Sequence, residues 1–329
     1  MTSMSVIQYL KTLPKNETIH YRANPGNAGD ALIACGAFKL FHDTNLRIEI
    51  IDIDNFDATD KIVIYAGGGN LVGIYPDARE FFIKHHKQAK LLVLLPHTVH
   101  KNEDLLKELG ENVVLFAREQ VSYEHLKHHA VNATVYIDHD LAFSIDVNEM
   151  LAKALPDVVR TIFLKIFYRI TNKKDKYARL PQPQIMLRNY FFELTTFVKD
   201  GYKVGNFFRT DVERVLEKLP KRNADLSKQY EYGTRNESIT LYTTARLLKF
   251  LNKFDSVKTD RLHICIGAAL LGKRIEFYPN SYFKCRAVYE YSLKDRYPNI
   301  IWVEPRSGPG NLNKPISGGS ATVESPPGR

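Results

Sequence analysis

Cysteine is scarce in this chain, and Cys35, Cys265 and Cys285 lie far apart. Three scattered thiols supply neither a disulfide framework nor a paired-cysteine zinc site, so a reducing compartment is expected. Long hydrophobic runs are missing too: no window approaches eighteen consecutive apolar residues, which leaves no segment to cross a bilayer. Met1 to Leu13 has neither a basic leader nor an apolar core suited to export, and the expectation is a cytoplasmic protein. No internal repeat is present. Nucleic-acid motifs are absent and the basic residues are dispersed, which argues against a nucleic-acid-binding protein. The pairs His85-His86 and His128-His129 have no carboxylate or cysteine set at ligand-like spacing. They read as solvated helix faces, and no metal site is expected.

What the chain has is core-forming side chains and positive charge. Its 329 residues, 44% of them hydrophobic, can build two domains or one large one. A formal charge of +9 suits nucleic acid, an anionic membrane face or acidic metabolites, and alone chooses none of them. Short β-rich runs recur near residues 17–22, 47–53, 61–66, 91–95, 113–116 and 134–137. An apolar helix over 31–41 and helical stretches near 77–88, 102–110 and 119–129 lie between them. This alternation predicts an α/β fold with a parallel sheet, whose ligands bind where strands end and helices begin. A second, smaller α/β unit is expected from strands near 203–208, 274–278 and 300–303 and a helix near 238–252. The predicted organisation is an N-terminal unit over 1–150, a basic insertion over 151–183, a C-terminal unit over 184–306 and a Gly/Pro/Ser-rich flexible tail over 307–329.

The insertion breaks the βαβ rhythm. Val158, Val159, Ile162, Phe163, Ile166, Phe167 and Ile170 recur at helical spacing among Arg160, Lys165, Arg169, Lys173, Lys174, Lys176 and Arg179. Two readings of this basic amphipathic helix stand: its apolar face packs on its own domain, or it makes peripheral contact with an anionic membrane.

Three segments are equipped to hold an anion. Asn24-Pro25-Gly26-Asn27-Ala28-Gly29-Asp30 and Gly67-Gly68-Gly69-Asn70 read as glycine loops at strand-to-helix junctions, which free backbone N–H groups. Thr259-Asp260-Arg261-Leu262-His263 sets a guanidinium and an imidazole two residues apart at the start of a small-residue apolar helix. Each candidate also has a structural reading: His263 as a helix-start packing residue, Asp30 as an N-cap, Arg118 as the partner of Glu119. Asp260 is expected to orient Arg261.

With Leu95-Pro96-His97-Thr98-Val99, Phe116-Ala117-Arg118-Glu119, Phe208-Arg209-Thr210-Asp211 and Asn280-Ser281-Tyr282-Phe283-Lys284, these motifs follow an order that resembles the polysaccharide pyruvyl transferases over about residues 20–295. The resemblance implies two Rossmann-like domains facing a cleft, similar to GT-B glycosyltransferases. It also implies transfer of pyruvate from phosphoenolpyruvate onto two sugar hydroxyls as a cyclic ketal, with Arg261-Leu262-His263 at the donor. A donor bearing phosphate and carboxylate calls for cations and N–H groups, for which Arg118, Arg261, Lys284, Leu262 and Gly29 are the candidates. His263 can deliver a proton to the donor's methylene carbon, since an imidazole beside bound anions holds its proton. Asp30 can accept one from the sugar, and Asn27, Asn70 and His97 are candidates for the acceptor side of the cleft. No resident cofactor is expected; phosphoenolpyruvate is the donor substrate, and the acceptor is a sugar of a polysaccharide or of a lipid-linked precursor. A glycosyltransferase using a nucleotide sugar is the alternative, because fold alone does not fix chemistry.

Overall fold

A computed structural model describes residues 4–51, 56–196 and 203–304, and the expected tail over 307–329 lies outside the described residues. The first sheet contains β1 (Thr18–Arg22), β2 (Arg47–Ile50), β3 (Ile62–Tyr65), β4 (Gly68–Leu71), β5 (Leu91–Val99), β6 (Val113–Ala117) and β7 (Thr134–Ile137). The order is β2-β1-β3-β5-β6-β7, every pairing is parallel, and the short β4 joins β5 beyond the end of β3. Near-continuous apolar runs such as Val113–Ala117, buried at every position, are what a sheet covered on both faces requires. Strand order reverses at β1, and such switch points are where doubly wound sheets hold ligands. The order is that of flavodoxin-like doubly wound parallel sheets.

Helices α1 (Val6–Thr12), α2 (Ala28–Asp43), α3 (Asp77–His85), α4 (Glu103–Glu108) and α5 (Gln120–His129) accompany this sheet, whereas α6 (Val147–Ala152) packs through Met150 into the core of the second. The second sheet has four parallel strands, β8 (Val204–Phe207), β9 (Ser256–Thr259), β10 (Arg274–Phe277) and β11 (Ile300–Trp302), in the order β11-β10-β9-β8. Between the two units lie α7 (Val158–Ile170), α8 (Lys174–Ala178) and α9 (Pro183–Thr196). The second unit carries α10 (Leu226–Gln229), α11 (Glu237–Leu251), α12 (Leu262–Leu270) and α13 (Lys284–Val288).

The two sheets are joined through α2, which is buried on opposite sides along most of its length and is apolar there. Ile33, Ala34, Ala37, Phe38 and Phe41 pack into the core on the first sheet. Ala28, Leu32 and Cys35, on its other side, belong to the core built with α11, α12 and the second sheet. Gly36 permits the closest approach: a Cβ there would collide with the carbonyl oxygen of Leu141, which follows β7.

Helix α7 does not turn its apolar stripe to the core. Thr161 and Lys165 face inward, whereas Val159, Phe163 and Ile170 are among its exposed residues. Lys165 is drawn in by Tyr177 of α8, whose ring lies 3.9 Å from its Nζ and whose carbonyl accepts at 3.4 Å. Of the stripe expected to pack on its own domain beneath a solvated basic face, Val158 alone does so, and the other six apolar residues are exposed. His85 and His86, expected on a solvated face, are buried; the His85 ring packs 4.6 Å from that of Phe81.

Candidate active site

The charged residues singled out for the site lie beyond the C-terminal ends of parallel strands, in the loop or the first helical turn that follows. The first glycine loop follows β1, Arg118 follows β6, Arg261 and His263 follow β9, and Lys284 follows β10. Together they line a cavity of about 400 Å³ between the two sheets, with Asn27, Asp30, Asn70 and Leu262.

Helix α2 begins earlier than expected, so Gly29 and Asp30 lie inside its first turn. Asn27 is the N-cap: its side chain accepts from Gly29 N at 2.7 Å, and Asp30 Oδ2 accepts from Asn27 N at 3.1 Å. This reciprocal capping fixes the helix start while leaving Asp30 on the cleft wall. Burial pushes the Asp30 carboxyl up to about 6, although His263, Lys284 and Arg118 oppose the shift. Gly29 does not line the cavity. A Cβ at its position would stand 2.6 Å from His263 Nδ1, so the α2 N-terminus can meet the imidazole of α12 only through a glycine.

At the start of α12, Arg261 occupies the N-cap position, with Thr259 Oγ1 accepting from its backbone N–H at 3.0 Å. Its guanidinium is held by Asp225 through Nε at 3.0 Å and by Asp211 through Nη2 at 2.8 Å. Asp260, expected to orient Arg261, instead accepts from Arg209 N at 2.8 Å, and burial raises its carboxyl to about 6.

His263 and Arg118 converge on Asp140, which lies just past β7. Asp140 Oδ2 accepts from Arg118 Nη1 at 2.8 Å and lies 3.4 Å from His263 Nε2, while Oδ1 accepts from Ala142 N at 2.9 Å. Burial alone would raise the Asp140 carboxyl, but His263 and Arg118 hold it below the usual carboxylate range. Arg118 also donates to Thr98 Oγ1 at 2.8 Å. Its expected partner Glu119 turns away to cap α5 through Ser122 N. Across the cavity Glu213 gathers Lys284 at 2.8 Å, Arg209 at 2.6 Å and the Tyr75 hydroxyl at 2.7 Å. Burial would raise Glu213, and Lys284 and Arg209 outweigh it, leaving the carboxyl at about 2.

The second glycine loop departs from expectation. It continues as β4 rather than opening a helix, with Gly68 at φ +142°, a conformation suited to glycine. His97 stands behind this wall and does not line the cavity. Its Nε2 accepts from Asn70 N at 3.0 Å and its Nδ1 faces Ala66 O at 3.2 Å, so it braces β4. Burial, with Arg118 adding to it, lowers this imidazole to about 3 and keeps it neutral. Asn70 lies on the cavity side, and its buried Oδ1 has no hydrogen-bond partner among the described residues.

A family model described as polysaccharide pyruvyl transferase matches residues 27–275, a span from the α2 N-cap to β10 that includes these loops apart from Asn24-Pro25-Gly26 and that of Lys284. The chain belongs to the polysaccharide pyruvyl transferase family. Over 320 residues it is 24% identical to a Bacillus subtilis (strain 168) protein named "Putative pyruvyl transferase EpsO", covering 92% of this chain and 94% of that one. A crystal structure of a protein described as functionally uncharacterized, from Klebsiella pneumoniae subsp. pneumoniae NTUH-K2044, matches with a TM-score of 0.70 at 29% identity. That match covers 93% of this chain and all of the other. Membership brings pyruvyl-transfer chemistry at the level of the family.

The sequence reading left out Asp140, Asp225 and Glu213. Asp140 had a usable signal, since an acid directly after a parallel strand falls at the ligand-binding edge. The other two had none, because they follow β8 inside a charged stretch without periodicity. Outside the cavity, Glu103, His125 and His129 bring one ligand atom each within 4.8 Å of the others. Of these only His129 was considered in the sequence, on a solvated face with no carboxylate at ligand-like spacing; Glu103 approaches it from a different helix.

Proposed function

We propose that the chain transfers pyruvate from phosphoenolpyruvate to two hydroxyls of one sugar in a surface polysaccharide or its precursor, forming a cyclic ketal and releasing phosphate. The observation that carries this reading is the convergence of Arg118, Arg261, Lys284 and the α2 and α12 N-termini on one cavity that also holds the His263–Asp140 pair. A donor with two anionic groups needs such a set of cations and N–H donors, with the guanidinium forks suited to bidentate grip.

His263 donates a proton to the methylene carbon, which becomes a methyl group, and the electron-poor centre left behind is attacked by the first sugar hydroxyl. Asp30 takes that hydroxyl's proton; a carboxyl raised to about 6 is well matched to a general base near neutrality. The carbon–oxygen bond to phosphate then breaks with its electron pair on phosphate, the second hydroxyl closes the ring, and its proton leaves on phosphate. Asp140 orients His263. The two parallel-sheet units, about 1–150 and 184–306, serve as halves of a GT-B-like cleft in this reading.

The test is phosphate release from phosphoenolpyruvate by the purified protein with galactose-, glucose-, mannose- and N-acetylmannosamine-terminated acceptors. Acceptor-dependent release with a matching mass gain on the sugar is expected, and lost in His263→Ala. Failure of phosphoenolpyruvate to bind, with binding of a nucleotide sugar instead, overturns the proposal.

A further inference from the structure

Helices α7 and α9 show the same inversion. Their inward faces carry buried polar residues, Thr161 and Lys165 on α7 and Asn189 and Glu193 on α9, beside Met186, Ile185, Phe192 and Val158, which pack on the core. Each of the polar residues is satisfied internally. Asn189 donates to the Tyr232 hydroxyl at 2.8 Å, and Glu193 takes the Tyr230 hydroxyl at 2.9 Å and Lys253 at 2.7 Å. The outward faces are apolar, with Val159, Phe163 and Ile170 at 78%, 70% and 79% exposure and Tyr190 and Phe191 more than half exposed. Side chains of this size in one contiguous patch mark an interaction surface.

The charges beside the patch identify what covers it. Arg160, Arg169, Lys173, Lys174, Lys176 and Arg179 are all exposed, and Asp175 is the one acidic residue within 158–179. No described helix is long and apolar enough to cross a membrane. An apolar face carrying aromatics and edged by lysine and arginine is the pattern of a helix lying in the headgroup region of an anionic bilayer. A second copy fits less well, since a two-fold interface would set this basic rim against itself.

The patch is also continuous with the active-site cleft. The cleft cavity shares Pro25, Gly26 and Glu231 with a neighbouring cavity. That cavity shares Gln182 and Arg235 with a third, lined by Ile162, Ile166 and Leu187.

We propose that the α7–α9 face docks the protein peripherally on an anionic lipid bilayer, with the cleft opening along the bilayer surface. This goes beyond the reaction proposed above and does not depend on it. The test is flotation of the full chain with vesicles of phosphatidylcholine alone or with added phosphatidylglycerol, at low and high salt. Two variants are compared, Phe163→Ser/Ile170→Ser and Lys173→Gln/Lys174→Gln, with melting temperature and light-scattering mass as controls.

Binding to the phosphatidylglycerol vesicles, weakened by salt and lost in the serine variant, is the expected result. Each lysine removed should weaken binding about fivefold, as ~1 kcal/mol per basic group at an anionic surface implies. Absence of wild-type binding overturns the proposal, and so does binding that neither variant changes. A wild-type dimer that becomes monomeric in the serine variant, with no vesicle binding, would assign the face to a second copy and overturn it as well.

Discussion

At the level of single residues, the cleft's cations are already paired with the protein's own carboxylates. Arg118 rests on Asp140, Arg261 on Asp211 and Asp225, and Lys284 on Glu213. Replacing Asp140 by Asn removes the charge between Arg118 and His263. We expect a kcat loss of about 10²-fold, the lower range for impaired general acid catalysis, with a smaller change in donor KM. Equal losses in both would mark Asp140 as a donor contact instead. Asp30 gives a pH signature. A carboxyl raised on folding binds its proton more tightly in the native state, so its contribution favours folding at low pH and is lost as pH rises through about 6. The melting temperature of Asp30→Asn should therefore gain on the wild type between about pH 4 and pH 8. The kcat/KM of the wild type should rise through about pH 6, and a profile unchanged in the variant would remove Asp30 as the base. Arg261, His263, Arg118 and Lys284 were legible in the sequence because each stands in a short motif beside a strand or helix end. Their acidic partners were not, because Asp140, Asp225 and Glu213 reach them from separate loops that only the fold brings together.

Among the elements, α2 and α12 depend on contacts that leave no room for a side chain. Gly29→Ala would push a methyl group into His263 Nδ1, yet alanine suits the first turn of a helix. Turnover should fall steeply while the melting temperature stays within a few degrees; a stable and fully active Gly29→Ala would show that the imidazole moves aside without cost. Gly36→Ala meets a backbone carbonyl rather than a side chain, so it should destabilise by about 1–3 kcal/mol or more, read by urea titration. Element order was visible in the alternation of β-rich and helical runs, and the strands lie close to their expected places except β4 and β9, neither of which was expected. The orientation of α7 was not. Its spacing gives an amphipathic helix in either pose, and the inward turn of Lys165 onto Tyr177 decides between them. Strand β4 was missed for a similar reason, since Gly67-Gly68-Gly69 carries no β-propensity and is held extended by hydrogen bonds from Asn70 and Leu71 to His97.

For the molecule as a whole, α2 contributes to both cores, so the two sheets should not unfold independently. Trp302, the single tryptophan, lies in β11 and reports on the second sheet alone, whereas far-ultraviolet circular dichroism reports on both. Their urea transitions should coincide, and separated midpoints would show that α2 does not couple the units. The arrangement also governs which residues selection can act on. The distance between the α2 N-terminus and His263 is a packing dimension, set by how Leu32 of α2 fits against Gly267 of α12 and its neighbours Leu248 and Leu251. A substitution that loosens this apolar layer shifts the reacting groups before it unfolds the chain. A screen for lost turnover in stably accumulated protein would thus return leucines far from any charge alongside the arginines and carboxylates of the cleft.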